Sequence, residues 1–225
     1  MKQKTIFLSG EADSWFERNK DALKNKDFSQ DLVVSEIVRI ITDSNIGLDL
    51  NKRREGRLLE IGCGEGKRLE YLQNNYNLKC FGIEPSKKAV EKAISKGICA
   101  KIGTADQLDF EDKYFDFVIF GFCLYLCDRD DLFQIAKEAD RVIKKEGFIV
   151  ILDFFHPTKD RKNKYTHQEG IYSYKMDYRN LFTWHPFYEC YKHKVMHHST
   201  LALTDEIDEW ISISVLRKNK YYNDE

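Results

Sequence analysis

The sequence predicts an α/β fold built on a mostly parallel sheet with helices on both faces. Two observations carry this prediction. Between residues 57 and 154, short continuous apolar runs alternate with amphipathic segments of helical spacing, which is typical of a parallel sheet covered on both sides. The first apolar run ends in a turn with glycines at alternate positions, and a helix follows it, which is typical of a strand–turn–helix unit.

The composition fits one domain. At 225 residues and 42% hydrophobic content the chain can bury one sizeable core. We expect a helical cap over residues 1–50, a core over 57–154, and a lid over 155–200 that leads into the last strands. The net charge of −1 gives no whole-chain field that favours nucleic acid or a membrane surface. No apolar run approaches the roughly 20 residues that span a bilayer, and residues 1–8 lack the apolar segment of a secretory signal, so we expect a cytoplasmic protein.

Two helices are predicted before the first strand. Residues 10–19 form a short helix after a loop. Apolar residues after Asp31 recur at helical spacing, and this second helix ends near residues 45–47. Residues 48–56 form a charged linker.

The later elements follow from the same patterns. Strands are predicted at 57–61, 79–84, 98–103, 114–120 and 147–154, with two more at 188–196 and 209–216. The helix after the first strand carries Leu69 and Leu72. The helix after the second is capped by Ser86, carries an apolar stripe and stops at Gly97; the stripe is Ala89, Val90, Ala93 and Ile94. A third helix covers 130–145, and the charged tail 217–225 is expected to fray.

The spacing of the glycines in the turn distinguishes between two classes of ligand. A dinucleotide fingerprint would place its third glycine at position 67, which is Lys67, whereas the glycine here is Gly66. The pattern Glu60-x-Gly62-x-Gly64-x-Gly66 resembles the first motif of class I S-adenosylmethionine-dependent methyltransferases. A glycine turn that binds nothing stays open as the alternative.

Three later positions in the sequence extend this resemblance. The carboxylate of Glu84, at the end of the second strand, would accept hydrogen bonds from both ribose hydroxyls of the cofactor; the alternative is a surface acid that caps the next helix. Asp106 would accept a hydrogen bond from the adenine amino group; the alternative is an ordinary acidic residue of a turn. After the fourth strand, backbone at Phe120 and Gly121 would meet the cofactor's amino group, and Phe122 would pack beside it or in the core.

The resemblance covers about residues 57–154 and implies a Rossmann-like, seven-stranded sheet whose last two strands are antiparallel. It implies S-adenosylmethionine as cofactor and S-adenosylhomocysteine as product. The expected cofactor contacts are Trp15, Arg18, Gly62, Cys63, Gly64, Gly66, Glu84, Pro85, Ala105, Asp106, Gln107, Phe120 and Phe122. More loosely, residues 10–19 and 167–178 are similar to small bacterial methyltransferases associated with cell-surface polysaccharide genes.

This resemblance implies methyl transfer to a small molecule, and an oxygen acceptor would benefit from a nearby base. The base candidates are His156, His167 and Tyr172, although a lid whose histidines do no chemistry is the alternative. Between residues 156 and 200, Lys and Arg outnumber Asp and Glu by eight to four, which favours an anionic acceptor such as a sugar nucleotide or a phosphorylated polysaccharide precursor. The Asp/Asn-Pro-Pro-aromatic motif of DNA amino-methyltransferases is missing after the fourth strand, so a nucleobase acceptor is disfavoured.

The remaining candidate residues point to no metal or disulfide. The six cysteines include no Cys-x-x-Cys pair and are expected to be reduced, buried thiols. His193 and His197 share a strand face but lie too far apart to chelate one ion, so no metal is expected. Two other functions stay open: a nicotinamide-dependent oxidoreductase and a non-catalytic partner subunit. The sequence leaves the acceptor and the oligomeric state undetermined.

Overall fold

A seven-stranded sheet forms the centre of the computed structural model, which describes residues 2–24, 26–43, 55–158 and 160–219. Its strands are β1 Gly56–Ile61, β2 Leu78–Glu84, β3 Cys99–Ile102, β4 Phe115–Gly121, β5 Ile143–Phe154, β8 Tyr188–His197 and β9 Trp210–Lys218; the two strands between β5 and β8 in the chain form a separate hairpin. The order across the sheet is β3-β2-β1-β4-β5-β9-β8. Strands β1 to β5 are parallel, and β9 pairs antiparallel with both β5 and β8. The predicted fold is confirmed.

Helices cover both faces of the sheet. They are α1 Gln3–Ile6, which continues through a π-helical turn Phe7–Glu11 into α2 Ala12–Lys24, then α3 Leu32–Thr42, α4 Lys67–Asn75, α5 Lys87–Ser95, α6 Leu132–Val142 and α7 Asn180–Thr183. A separate hairpin consists of β6 Arg161–Lys164 and β7 Tyr172–Lys175. No helix among the described residues has the length and apolar character to cross a membrane.

The core consists of two apolar layers because side chains alternate between the faces of each strand. On one face, Leu58, Phe117 and Phe148 are in register on β1, β4 and β5, and they belong to a cluster that includes α3 and α4 residues. On the other face, the neighbouring residues of the same strands pack with α6. The continuous apolar runs of the sequence are therefore strands buried on both sides.

Several boundaries differ from those predicted. The helix expected to reach residue 145 ends at Val142, because Ile143 already pairs with Phe115 and starts a longer β5. The loop expected before residue 10 is helical from Gln3. Ile94 does not join the apolar stripe of α5 and is 55% exposed. The expected tail still pairs in β9 as far as Lys218.

The helix expected to end near residues 45–47 ends at Thr42, because Asp43 is already extended. Two other predictions lie outside the described residues: the linker over 48–54 and the tail beyond 219.

Candidate cofactor and acceptor site

A cavity of about 470 Å³ lies at the carboxyl ends of the parallel strands, where open α/β sheets bind ligands. Its floor comes from the residues that follow β1, β2, β3, β4 and β5, and its roof from the segment that contains α1 and α2. Gly62, Glu84 and Asp106 all line this cavity. The three strand ends that the sequence singled out therefore meet in one place.

The three glycines of the turn have different physical roles. Gly62 has a φ of +77°, and a Cβ there would lie 2.6 Å from the Cβ of Cys123, so no larger residue fits. Gly64 has a φ of +53° and faces open space with nothing within 4 Å, which leaves its backbone accessible from the cavity. Gly66 is buried and does not line the cavity; a Cβ there would contact Ala93 of α5 at 3.1 Å.

Glu84 is locked to the glycine turn through its carboxylate. The backbone N–H of Gly64 donates to one oxygen at 2.9 Å, and the N–H of Ser86 donates to the other at 2.9 Å. Burial raises the pKa of this carboxyl group, and the two backbone donors oppose that shift. A carboxylate has about four lone-pair sites, so each Glu84 oxygen keeps the capacity to accept a hydroxyl of a ligand.

Asp106 forms an ion pair with a lysine from the roof of the cavity. Lys4 of α1 forms ion pairs with Asp106 and, at 2.8 Å, with Asp131. Lys2 pairs with Asp131 as well. Burial opposes the shift, but hydrogen bonds from Lys4 and Thr104 lower the pKa of Asp106, so this group is a carboxylate at neutral pH. The sequence placed Asp106 in the site but did not predict its lysine partner.

A buried ion cluster closes the floor under the glycine turn. Arg68 of α4 donates to Asp31 at 2.9 Å and forms an ion pair with Glu60. Asp31 also accepts from two backbone N–H groups at the start of α3, and the combined charge of Arg68 and Lys26 holds its pKa below its usual range despite burial. Glu60 is paired with one cation only, Arg68, and burial raises the pKa of Glu60 to about 7 despite that pairing. One carboxylate oxygen of Glu60 has no hydrogen-bond partner among the described groups.

The cap over the cavity is held together by contacts between distant parts of the chain. Gln3 exchanges two hydrogen bonds with the backbone of Tyr172 in β7, at 2.7 and 3.1 Å. The hydroxyl of Tyr165 donates to Glu11 at 3.0 Å and accepts from Arg18 at 2.9 Å. These pairings attach the β6–β7 hairpin to the amino-terminal helices.

Aromatic side chains line the cavity at the ends of β4, β5 and β8. Phe122 and Phe154 meet edge to face with ring centroids 5.4 Å apart, and Tyr125 lies 5.0 Å from Phe154. His198 lies at the solvent-exposed rim, with its ring 5.4 Å from Phe154. Asp153 fixes this region because its buried carboxylate accepts from the backbone N–H groups that start the turn at residues 124–126.

The structure brings together nine of the thirteen residues expected to contact the cofactor. Those that line the cavity are Trp15, Gly62, Cys63, Gly64, Glu84, Pro85, Ala105, Asp106 and Phe122. The other four do not line it. Gly66 packs against α5, Arg18 pairs with Glu11, Gln107 is exposed, and Phe120 is fully buried in the core against Phe182.

None of the three expected bases lines the cavity. His156 is only 9% exposed and accepts from the N–H of Thr158. His167 is exposed in the turn of the β6–β7 hairpin and contacts the Tyr165 ring. Tyr172 lies in β7 under the Lys162 ammonium group. All six histidines are described, and only His198 lines the cavity.

The cavity-lining residues that sequence reasoning missed include Lys4, Tyr125 and His198. A signal for His198 existed: β8 is parallel to β5 because both are antiparallel to β9. His198 directly follows β8, as Glu84 ends β2, so the rule that ligands bind at carboxyl ends of strands applies to it as well. The described residues contain no group of three or more His, Cys, Asp or Glu that could hold a metal ion.

Comparison with known proteins matches this geometry to a family. Residues 59–151, less than half of the chain, match the methyltransferase domain family. The cofactor is S-adenosylmethionine. The glycine turn and Glu84 of the cavity fit an adenosyl group, because Gly64 faces open space and each Glu84 oxygen can accept a further hydrogen bond.

Relatives in sequence match the core only. A protein of Methanocaldococcus jannaschii, MJ1123, is 33% identical over 97 residues, which are 43% of this chain and 44% of the relative. The demethylmenaquinone methyltransferase of Alkalihalophilus pseudofirmus is 34% identical over 95 residues, 42% of this chain and 38% of that protein. The chain thus spans less than half the length of these relatives.

Solved structures share the fold over a longer stretch. The 1,6-didemethyltoxoflavin-N1-methyltransferase of Burkholderia thailandensis, with its substrate and S-adenosylhomocysteine bound, has a TM-score of 0.67 and 14% identity; the match covers 96% of this chain and 88% of that one. A methyltransferase of Methanosarcina mazei has a TM-score of 0.58 and 19% identity, over 75% and 95% of the two chains. At these identities the likeness concerns the fold alone.

Proposed function

We propose that this protein transfers a methyl group from S-adenosylmethionine to an oxygen of a small molecule. The observation that carries the proposal is the convergence of the glycine turn, Glu84 and Asp106 on one cavity at the carboxyl edge of the sheet. Three separate strand ends contribute to it, and a turn without a ligand would not require the two acids to face it.

Each of these residues has a proposed role that its environment supports. The open face at Gly64 admits the methionine part of the cofactor, and Glu84, fixed by two backbone donors, accepts the ribose hydroxyls. Asp106 accepts the adenine amino group in place of, or beside, Lys4. When bound, the cofactor supplies a methyl group already activated by its sulfonium. The protein's task is to hold the acceptor in line with it and to exclude water.

The expectation of an anionic acceptor has less support than the sequence suggested. None of the described Lys and Arg residues between 156 and 200 lines the cavity. The described cations that do line it are each paired with a carboxylate: Lys4 with Asp106, Lys26 with Asp31, Lys67 with Glu65, and Arg68 with Asp31 and Glu60. A sugar nucleotide or a phosphorylated polysaccharide precursor would have to break such a pair, so we favour an uncharged acceptor.

Two measurements test the proposal in sequence. Titration calorimetry with S-adenosylhomocysteine, with NADH as the control ligand, should show binding of the former only. Absence of heat at high micromolar S-adenosylhomocysteine, in protein shown to be folded, would overturn the cofactor site. Formation of S-adenosylhomocysteine from S-adenosylmethionine across a panel of hydroxyl-bearing acceptors then tests turnover, and binding without turnover on any acceptor would favour a non-catalytic partner subunit.

A further inference from the structure

The part of the cavity at the ends of β4, β5 and β8 is built from aromatic rings that come from four different elements. Trp15 lies on α2, Phe122 follows β4, Phe154 ends β5, and His198 follows β8. The imidazole of His198 is tilted by 38° against the Phe154 ring and meets Phe122 nearly edge on, at centroid distances of 5.4 and 6.1 Å. Rings in such contact offer faces and edges on which a flat molecule stacks.

The backbone at Phe122 indicates that this arrangement is specified. Phe122 has a φ of +55°, a conformation that bulky residues rarely adopt. Its N–H donates to the carbonyl of Leu152 on β5 at 2.8 Å, which holds the residue in place. Strain of this kind concentrates at ligand sites, and here it places an aromatic ring of the cavity wall beside Phe154 at the end of β5.

Two polar groups lie among these rings: the Tyr125 hydroxyl, which can donate a hydrogen bond, and the His198 imidazole, which can accept a proton. Burial raises the pKa of the Tyr125 hydroxyl, and a hydrogen bond that this hydroxyl accepts from Trp15 opposes the shift. Tyr125 is therefore a neutral phenol that keeps its own proton to donate. The Nδ1 of His198 lies 3.5 Å from the hydroxyl of Ser199, and its Nε2 has no hydrogen-bond partner within the described ranges. An imidazole at a solvent-exposed rim can accept a proton and pass it to water.

We propose that this half of the cavity binds a flat, uncharged aromatic acceptor with an ionisable hydroxyl, and that His198 removes its proton. This inference rests on the proposed function. The acceptor's O–H proton passes to the free imidazole nitrogen of His198. The acceptor's oxygen forms a bond to the methyl carbon as the bond from that carbon to sulfur breaks and its electron pair stays on sulfur. S-adenosylhomocysteine and the methyl ether are the products, and His198 returns the proton to solvent.

Paired probes test the acceptor class. Binding of 2-naphthol and of 2-naphthyl phosphate is measured by calorimetry in the presence of saturating S-adenosylhomocysteine. The ring is the same in both, so the comparison isolates the charge. We expect 2-naphthol to bind at least fivefold more tightly than the phosphate, and Phe154→Leu to remove most of that binding while S-adenosylhomocysteine still binds. Tighter binding of the phosphate, or no binding of 2-naphthol to the cofactor-loaded protein, would overturn the acceptor class.

A matched pair of histidine variants tests the base. With 2-naphthol as acceptor, His198→Gln should slow turnover about 10²-fold at pH 7, a typical effect of a general base. The deficit should shrink as the pH rises to where naphthol ionises in solution. His167→Gln, at an exposed position outside the cavity, should match the wild type. Equal turnover of His198→Gln and wild type at pH 7, or a deficit that stays constant with pH, would exclude His198 as the base.

Binding of S-adenosylhomocysteine to the wild-type protein distinguishes an error in the proposed function from an error in the acceptor class. If S-adenosylhomocysteine does not bind the wild-type protein, the proposed function itself is wrong. If it binds but the naphthol and histidine results above do not appear, only the acceptor class or the role of His198 is wrong.

Discussion

The two halves of the cavity are assembled in different ways. In the proposed cofactor half, which contains the glycine turn, Glu84 and Asp106, the contact between Gly64 and Glu84 links residues at the ends of two neighbouring parallel strands, β1 and β2. In the acceptor half, Trp15 and His198 are 183 positions apart in the chain (198 − 15) and line the same cavity only because the cap and β8 fold against the sheet.

This difference separates the part of the cavity that the pairing of the strands determines from the part that depends on contacts between distant segments. The register of parallel strands places their carboxyl ends at one edge, so the cofactor half follows once β1 to β3 pair. The acceptor half depends on contacts between distant segments, such as Gln3 with Tyr172, and those contacts can vary while the sheet stays the same. We therefore expect the strongest effects from changes in the cofactor half.

The largest effect is expected at Gly62. Gly62→Ala would put a Cβ into Cys123 and force a non-glycine residue to a φ of +77°. Conformational strain of about 1–2 kcal/mol and overpacking of about 1–3 kcal/mol should together lower the free energy of unfolding, measured by urea denaturation. Gly97→Ala is the matched control, since Gly97 has a φ of +79° and open space around it. Equal losses in both variants would show that packing against Cys123 contributes nothing.

Glu84→Ala should weaken S-adenosylhomocysteine binding by more than tenfold, because hydrogen bonds to a charged group are worth roughly 1.5–3 kcal/mol. Titration calorimetry measures this loss, with circular dichroism to show that the variant is folded. Glu91→Ala, on the exposed face of α5, should bind like the wild type. A Glu84→Ala variant with unchanged affinity would place the ribose elsewhere.

Glu60 should make stability fall as pH rises. The folded protein keeps the Glu60 proton up to about pH 7, whereas the ordinary carboxyl value is 4.5, so between these values the folded state binds more protons than the unfolded chain. The contribution of this group is therefore full below about pH 4.5 and is lost as the pH rises to about 7. Asp31 has the opposite sign, but its window lies below its usual pKa.

Urea denaturation at pH 5 and pH 8 measures this term. Relative to Glu60→Gln, the wild type should lose roughly 1–3 kcal/mol of unfolding free energy between the two pH values. Parallel pH profiles for the two proteins would mean that Glu60 is ionised together with Asp31 throughout.

The smallest effect is expected at Lys4. Lys4→Met frees Asp106 from its ion pair, so S-adenosylhomocysteine should bind about two- to threefold more tightly at low salt, and the difference should shrink at high salt. Lys2→Met is the control, because Lys2 pairs with Asp131 and not with Asp106. Weaker cofactor binding in Lys4→Met would instead assign Lys4 to holding the cap over the ligand.

The same contrast explains what the sequence could predict. The strands of the parallel sheet, the glycine turn and both acids follow from local apolar runs and from the edge at which parallel strands end. Arg18 lies outside the cavity because it is held by Glu11 and by Tyr165, which is far away in the chain. His156 and His167 also lie outside it, and each contacts a residue only two positions away, Thr158 and Tyr165. His198 could have been found from the strand that precedes it, but only after β8 was placed parallel to β5.

The most direct test of the central claim is a crystal structure of the protein with bound S-adenosylhomocysteine. We expect the ribose hydroxyls within about 3 Å of the Glu84 carboxylate, the adenine amino group beside Asp106, and the sulfur facing the rings of Phe122 and Phe154. A ligand bound away from the turn at residues 62–64, or an adenosyl group that contacts neither acid, would contradict the account.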